Sequence, residues 1–266
     1  MIPYYVVDAF ADAPFQGNPA GVCIVESWPD DATMLAIAAE NRLSETAFAI
    51  RRGPARYDLR WFMPTGEIDL CGHATFGTAF ALFRFHEPDA KAIHFHAPMK
   101  GYELVCTRVG NRIQMEFPRI PPQPFAFEPI METAVGARPA EVLATKRDLV
   151  LVFDDEAEVN GMQPNLAAVE AIPHGLSVYV TAPSATWDYV ARAFWPKMGI
   201  PEDPVCGSMQ SALVPYWAER LGKRELICRQ TSPRGGTVWC EDTGDAVLIS
   251  GTGSLYLQGQ IAIETQ

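Results

Sequence analysis

The chain has 266 residues, 48% of them apolar and 20% charged, a composition that buries a real core and excludes a disordered protein. Its 21 Lys and Arg face 32 Asp and Glu, for a net charge of −11 with no basic run, so the electrostatic footprint for nucleic acid or an anionic membrane is missing. The length lies where one core gives way to two, and no stretch approaches the roughly 18 consecutive apolar residues of a membrane span.

Residues 4–9 and 20–26, rich in Val, Ile and Tyr, read as strands joined through the turn chemistry of Gly17-Asn18-Pro19. Asp30 and Asp31 open a helix with Met34, Leu35, Ile37 and Ala38 on one face, which fades near Arg42. Residues 47–51 are extended, and Tyr57, Leu59, Trp61 and Met63 alternate with polar neighbours as in a half-buried strand. After Gly72 come Ala74, Phe76, Ala79, Phe80, Ala81, Leu82, Phe83 and Phe85, apolar on nearly every face of a helix. Such a helix must be enclosed all round, which among strands implies a rolled sheet around it. Residues 92–97, 103–108 and 112–117 are strands, the last two joined by Gly110-Asn111, and Pro118, Pro121, Pro122 and Pro124 mark a linker. Beyond it, residues 149–153, 176–181, 225–230, 237–240, 246–250 and 255–263 are strand candidates, and residues 208–221 a second apolar helix.

The turn Leu70-Cys71-Gly72-His73 has an echo in Val205-Cys206-Gly207-Ser208, each pair 135 positions apart, as are Glu67 and Glu202. Upstream, Phe62-Met63-Pro64 matches Phe194-Trp195-Pro196, with three residues more before the turn. The repeat implies a duplicated unit. The expected fold is α+β: two pseudo-symmetric lobes, each a rolled, mostly antiparallel sheet around a central buried helix. Residues 1–118 plus 254–266 form the amino-terminal lobe, and 119–253 the carboxy-terminal one. Six cysteines occur without a CxxC pair or a zinc-type His spacing, so no metal is expected; Cys23, Cys106, Cys228 and Cys240 read as small core residues. Met1-Ile2-Pro3-Tyr4-Tyr5 carries no export pattern, and a cytoplasmic location is the default expectation.

Two helix N-termini facing one cleft would hold an anion such as a carboxylate, with Gly72 and Gly207 admitting it close to the backbone. A thiol placed there, Cys71 or Cys206, has its pKa lowered from about 8.5 into a range of roughly 3.5–7.5, which suits an opposed acid and base. The alternative is that the Gly-Cys turns only pack a strand on a helix. His73 and Ser208 are donors to a substrate oxygen, or a satisfied buried imidazole and a helix cap. Glu45, among Leu43, Ala47 and Phe48, is a carboxylate with its pKa raised into the general-base range, or an exposed acid at a helix end. Asp203, before Pro204, is a second carboxylate or a turn residue.

The blocks Asp8-Ala9-Phe10 with Phe15-Gln16-Gly17-Asn18-Pro19, Leu43-Ser44-Glu45-Thr46-Ala47-Phe48, Pro64-Thr65-Gly66-Glu67, Leu70-Cys71-Gly72-His73-Ala74-Thr75, Glu202-Asp203-Pro204-Val205-Cys206-Gly207-Ser208 and Arg229-Gln230-Thr231-Ser232-Pro233-Arg234-Gly235-Gly236 run in one order over nearly the whole chain. Together they resemble the PhzF-like family of phenazine-biosynthesis isomerases. The resemblance implies the diaminopimelate epimerase-like fold, an active site between the lobes, no cofactor and a homodimer. It implies Glu45 as proton carrier, with His73, Asp203 and Ser208 contacting the substrate. Met209-Gln210 departs from the family pattern and marks an altered side of the pocket. The leading expectation is therefore a cofactor-independent isomerase moving a proton between carbons of a small carboxylic acid, with Glu45 as acid/base. The alternatives are a two-thiol racemase or epimerase of an amino or hydroxy acid using Cys71 and Cys206, and a non-catalytic small-acid binder.

Overall fold

The structure, a computed structural model, describes residues 1–263; residues 264–266, the end of the expected amino-terminal lobe, lie outside the described residues. The chain divides into two compact units, Met1–Glu116 with the closing segment from Ser250, and Phe117–Ile249.

In the first unit β1 (Ile2–Ala9) and β2 (Asn18–Val25) pair antiparallel. The helix α1 (Asp31–Asn41), capped by the Asp30 carboxylate on the Thr33 N–H, crosses to β3 (Glu45–Gly53), which lies parallel to β2. β4 (Arg56–Met63) returns antiparallel and carries the short β5 (Gly66–Ile68). Then α2 (Gly72–Phe85) crosses to β6 (Ala92–Ala97), parallel to β4, and β7 (Tyr102–Val109) and β8 (Arg112–Pro118) follow antiparallel.

The second unit contains β9 (Gln123–Pro124), α3 (Pro129–Val135), β10 (Glu141–Ala144), β11 (Asp148–Val152), α4 (Glu156–Gly161), α5 (Leu166–Ala171), β12 (Ser177–Pro183), β13 (Tyr189–Trp195), β14 (Ile200–Asp203), α6 (Gln210–Leu221), β15 (Glu225–Gln230), β16 (Gly236–Asp242) and β17 (Ala246–Gly251). Its pairing repeats the first: β10 and β11 antiparallel, β11 and β12 parallel across α4 and α5, β12 and β13 antiparallel, β13 and β14 antiparallel, β13 and β15 parallel across α6, β15 and β16 antiparallel. The closing strand β18 (Gly253–Ile261) pairs with β1 of the first unit.

The enclosed helix is α2, with ten of its residues buried, among them His73, Phe76, Leu82 and Phe83, and packed on β1, β2, β3 and β6. It approaches closely because Gly77 has no side chain; a Cβ there would lie 3.2 Å from Ala20 Cβ. The block from Asp8 to Asn18 is structural: Asp8 accepts the Phe15 N–H at 2.9 Å, and Gly17, at φ +64°, sits where a Cβ would run into the Ala9 carbonyl. Cys23, Cys106, Cys228 and Cys240 are buried in β2, β7, β15 and β16.

Several elements depart from the sequence reading. The helices α3, α4 and α5 have six or seven residues, too short for a 3.6-residue period to register, although their caps are visible. Asp155 and Asn165 each accept a helix N–H, and Gly136 ends α3 at φ +78°. β13 escaped because both its faces are buried, so it lacks alternation. Part of the proline run forms β9, paired to β10. Finally, α6 starts at Gln210 rather than Ser208, after turns at residues 207–209.

The repeat extends to an ion pair. Arg60 of β4 forks onto Glu67 at 2.7 and 2.6 Å, and Arg192 of β13 forks onto Glu202 at 2.7 and 3.0 Å. Each bidentate pair ties the central strand to the hairpin leading into the Cys-Gly turn.

Candidate active site

Glu45 is the first residue of β3, just after the left-handed Arg42 ends α1, and its side chain is 7% exposed. Cys71 is the N-cap of α2, Gly72 its first residue and His73 its second. Packing of α2 on β3 brings the three together. His73 Nε2 lies 3.0 Å from Glu45 Oε2 and 3.4 Å from Ser44 Oγ, while Nδ1 faces Cys71 Sγ at 3.5 Å. The short contact to Oε2 lacks hydrogen-bond alignment, so among the described residues this buried oxygen has no hydrogen-bond partner.

Burial alone would raise the Glu45 pKa, as the sequence suggested. The charge of the facing His73, with the polar Ser44 and Cys71 side chains beside it, overrides it and holds the carboxyl below its ordinary value. Burial likewise disfavours the imidazolium, but Cys71 and Glu45 hold the His73 pKa well above the ordinary value. Cys71 is pushed up by burial and by the Glu45 charge. The opposed shifts favour a Glu45 carboxylate facing a His73 imidazolium, while burial works against a Cys71 thiolate. Stabilisation from the raised His73 pKa is complete below the ordinary imidazole value of 6.5 and is lost as pH climbs through the raised one. Stabilisation from the lowered Glu45 pKa holds above the ordinary 4.5 and is lost as pH falls through the lowered value. The pair contributes fully between those two ordinary values. Glu45→Gln is expected to lower the His73 pKa, read from its imidazole NMR shifts; an unmoved titration would show that Glu45 is not its counter-charge.

Glu45, Cys71 and His73 also form a possible metal-ligand set, each offering one ligand atom and all within 4.8 Å of one another. Their O, S and N donors would suit a zinc-like cation. The thiol and the imidazolium would both have to lose a proton first.

In the second unit the Cys206-Gly207-Ser208 turn is clamped by Gln230, which accepts the Cys206 N–H at 2.8 Å and donates to the Cys206 carbonyl at 2.9 Å. Gln230 lies in the block from Arg229 to Gly236, whose sequence carries no sign of this task. Ser208 does not cap α6; it stands 3.5 Å from Cys206 Sγ and accepts from Arg147 Nη2 at 3.2 Å. Asp203 ends β14, and after burial its charge is the main influence pushing the Cys206 thiol well up. Neither thiol is therefore activated as its position beside a helix N-terminus suggested. Met209 and Gln210 are fully buried, with Gln210 bonded to Tyr189 and Cys228 in the core of the unit. Glu45 and His73 thus meet in one unit, and Asp203, Cys206 and Ser208 are neighbours in the other.

No helix among the described residues is long and apolar enough to cross a membrane. The family model described as phenazine biosynthesis-like protein matches residues 7–259. An uncharacterized isomerase of Pseudomonas aeruginosa is 44% identical over 257 residues, covering 97% of each chain. A PhzF-family crystal structure from Enterococcus faecalis has a TM-score of 0.95 and 42% identity, covering 98% of this chain and 99% of that one. A hydroxyproline epimerase from Agrobacterium vitis, 13% identical, shares the fold at a TM-score of 0.60, covering 98% and 92%. With its α+β, diaminopimelate epimerase-like fold and these relatives, the chain belongs to the phenazine biosynthesis-like family and is a PhzF-like isomerase.

Proposed function

We propose that the protein is a cofactor-independent isomerase, cytoplasmic and homodimeric, that moves a proton between carbons of a small carboxylic acid with Glu45 as acid/base. The observation that carries this reading is the Glu45 carboxylate itself: buried, ionised and with one oxygen lacking a hydrogen-bond partner among the described residues. That oxygen takes a proton from carbon, and the neutral acid returns it to another carbon. The His73 imidazolium beside it stabilises the negative charge that develops on the substrate. Asp203 positions or protonates the substrate, and Ser208 with the Gly72 and Gly207 turns receives its anionic group. One monoprotic carrier implies removal and return on the same face of the substrate.

A screen of small carboxylic acids in deuterated water, read by NMR for hydrogen exchange at carbon, tests the reading, with Glu45→Gln run beside the wild type. Exchange that is undiminished in Glu45→Gln would defeat it. The two-thiol alternative needs a thiolate, and burial pushes both Cys71 and Cys206 the other way. Cys71→Ser and Cys206→Ser are therefore expected to keep exchange within about tenfold of wild type, against the roughly 100- to 10,000-fold typical of a lost acid/base group. A loss of that larger size in either variant would instead favour the epimerase reading.

A further inference from the structure

The repeat allows the two units to be compared position by position. Glu45 opens β3 opposite Ala20 of the parallel β2, and Ser177 opens β12 opposite Asp148 of the parallel β11. Ser177 thus stands in the second unit where the carboxylate stands in the first. The carboxylate of the second unit has moved one strand across: Asp148, 4% exposed, accepts from Ser177 Oγ at 2.7 Å and from Arg147 Nε at 2.8 Å. Where the first unit groups Glu45, Cys71 and His73, the second groups Asp148, Arg147, Cys206 and Ser208.

Arg147 is held from several sides. Thr145 Oγ1 accepts the N–H groups of Arg147 and Asp148, at 3.1 and 2.9 Å, which fixes the turn. The guanidinium lies 5.3 Å from the centre of the Trp195 ring, and Nη2 donates to Tyr179 OH at 3.0 Å and to Ser208 Oγ at 3.2 Å. The side chain nonetheless stays 49% exposed, and Nη1 takes part in none of these contacts. Because Ser208 Oγ accepts from Arg147, its own hydrogen is left for Cys206 Sγ, 3.5 Å away. Nη1 thus keeps its two N–H groups for an outside acceptor on a guanidinium whose other side is pre-set, the charge-assisted donor that suits a carboxylate.

We infer that Arg147, beside Ser208, is the subsite for the substrate's carboxylate. The inference rests on the reading of Glu45 given above, but its test does not. Benzoate and its neutral isostere benzamide are titrated calorimetrically at low ionic strength into wild type, Arg147→Gln and Arg147→Lys. Wild type is expected to prefer benzoate roughly 10- to 100-fold, the range of a charge-assisted hydrogen bond. Arg147→Gln is expected to erase the preference and Arg147→Lys to restore part of it, with benzamide affinity unchanged throughout. Equal affinity of wild type for acid and amide, absent binding included, overturns the inference. So does a benzoate preference that survives Arg147→Gln, and a loss in Arg147→Gln that Arg147→Lys does not relieve. Titration needs no turnover, so failure of the Glu45 reading would leave the benzoate preference intact, and failure here would leave Glu45-dependent exchange intact.

Discussion

Glu45→Gln is expected to lower the rate of carbon-to-carbon proton transfer by roughly 100- to 10,000-fold while leaving the fold intact, the span over which positioned acid/base groups act. The substitution keeps the volume of the side chain and removes its capacity to carry a proton. It also withdraws the negative charge facing His73, so the imidazole titrates lower and supplies less positive charge to the reacting substrate. Both losses fall on the chemical step, and kcat is expected to fall far more than KM changes. Rates measured for an acid identified by exchange check this; a variant that loses affinity alone would make Glu45 a binding group.

The second large effect is on stability. Glu202→Ala leaves Arg192, whose side chain is 7% exposed, with only the Val159 and Met162 carbonyls as acceptors among its described bonds. Breaking a buried pair from one side typically costs about 3–5 kcal/mol, and the two carbonyls place this case near the lower end. The equivalent Glu67→Ala is expected to cost less, because Arg60, 15% exposed against 7% for Arg192, keeps other partners. Arg60 keeps Asp31 at 2.9 Å and the faces of Trp28 and Phe62. Denaturant melts of the two variants compare them directly. A Glu67 variant at least as destabilised as the Glu202 variant would refute the argument from burial.

Much of this was legible in the residues. The apolar run after Gly72 required an enclosed helix, and the spacing of Cys71 and Cys206 pointed to a duplication that the strand pairing repeats. The paired arginines were within reach too, since Arg60 and Arg192 are separated by the same interval as Phe62 and Phe194. What could not be read were balances of opposing effects. A helix N-terminus favours a thiolate by about 0.3–1 kcal/mol, rarely 2, whereas full burial can move a pKa by roughly 3–5 units, so burial wins at Cys71 and Cys206. At Glu45 burial loses, because a partner 28 positions away, His73, arrives only when α2 packs on β3. Arg147 and Asp148 carry no mark in the sequence, and only the parallel register of β11 and β12 sets Asp148 against Ser177, with the guanidinium on Ser208.

The most direct test of the account is the position of the transferred hydrogen. Product formed in deuterated water from an acid found in the screen is analysed by proton and deuterium NMR, with Glu45→Gln as control. The account predicts that one carbon loses its hydrogen, that a different carbon gains one on the same face, and that Glu45→Gln abolishes the change. Deuterium at the original carbon with inverted configuration, formed as readily by Glu45→Gln, would contradict it.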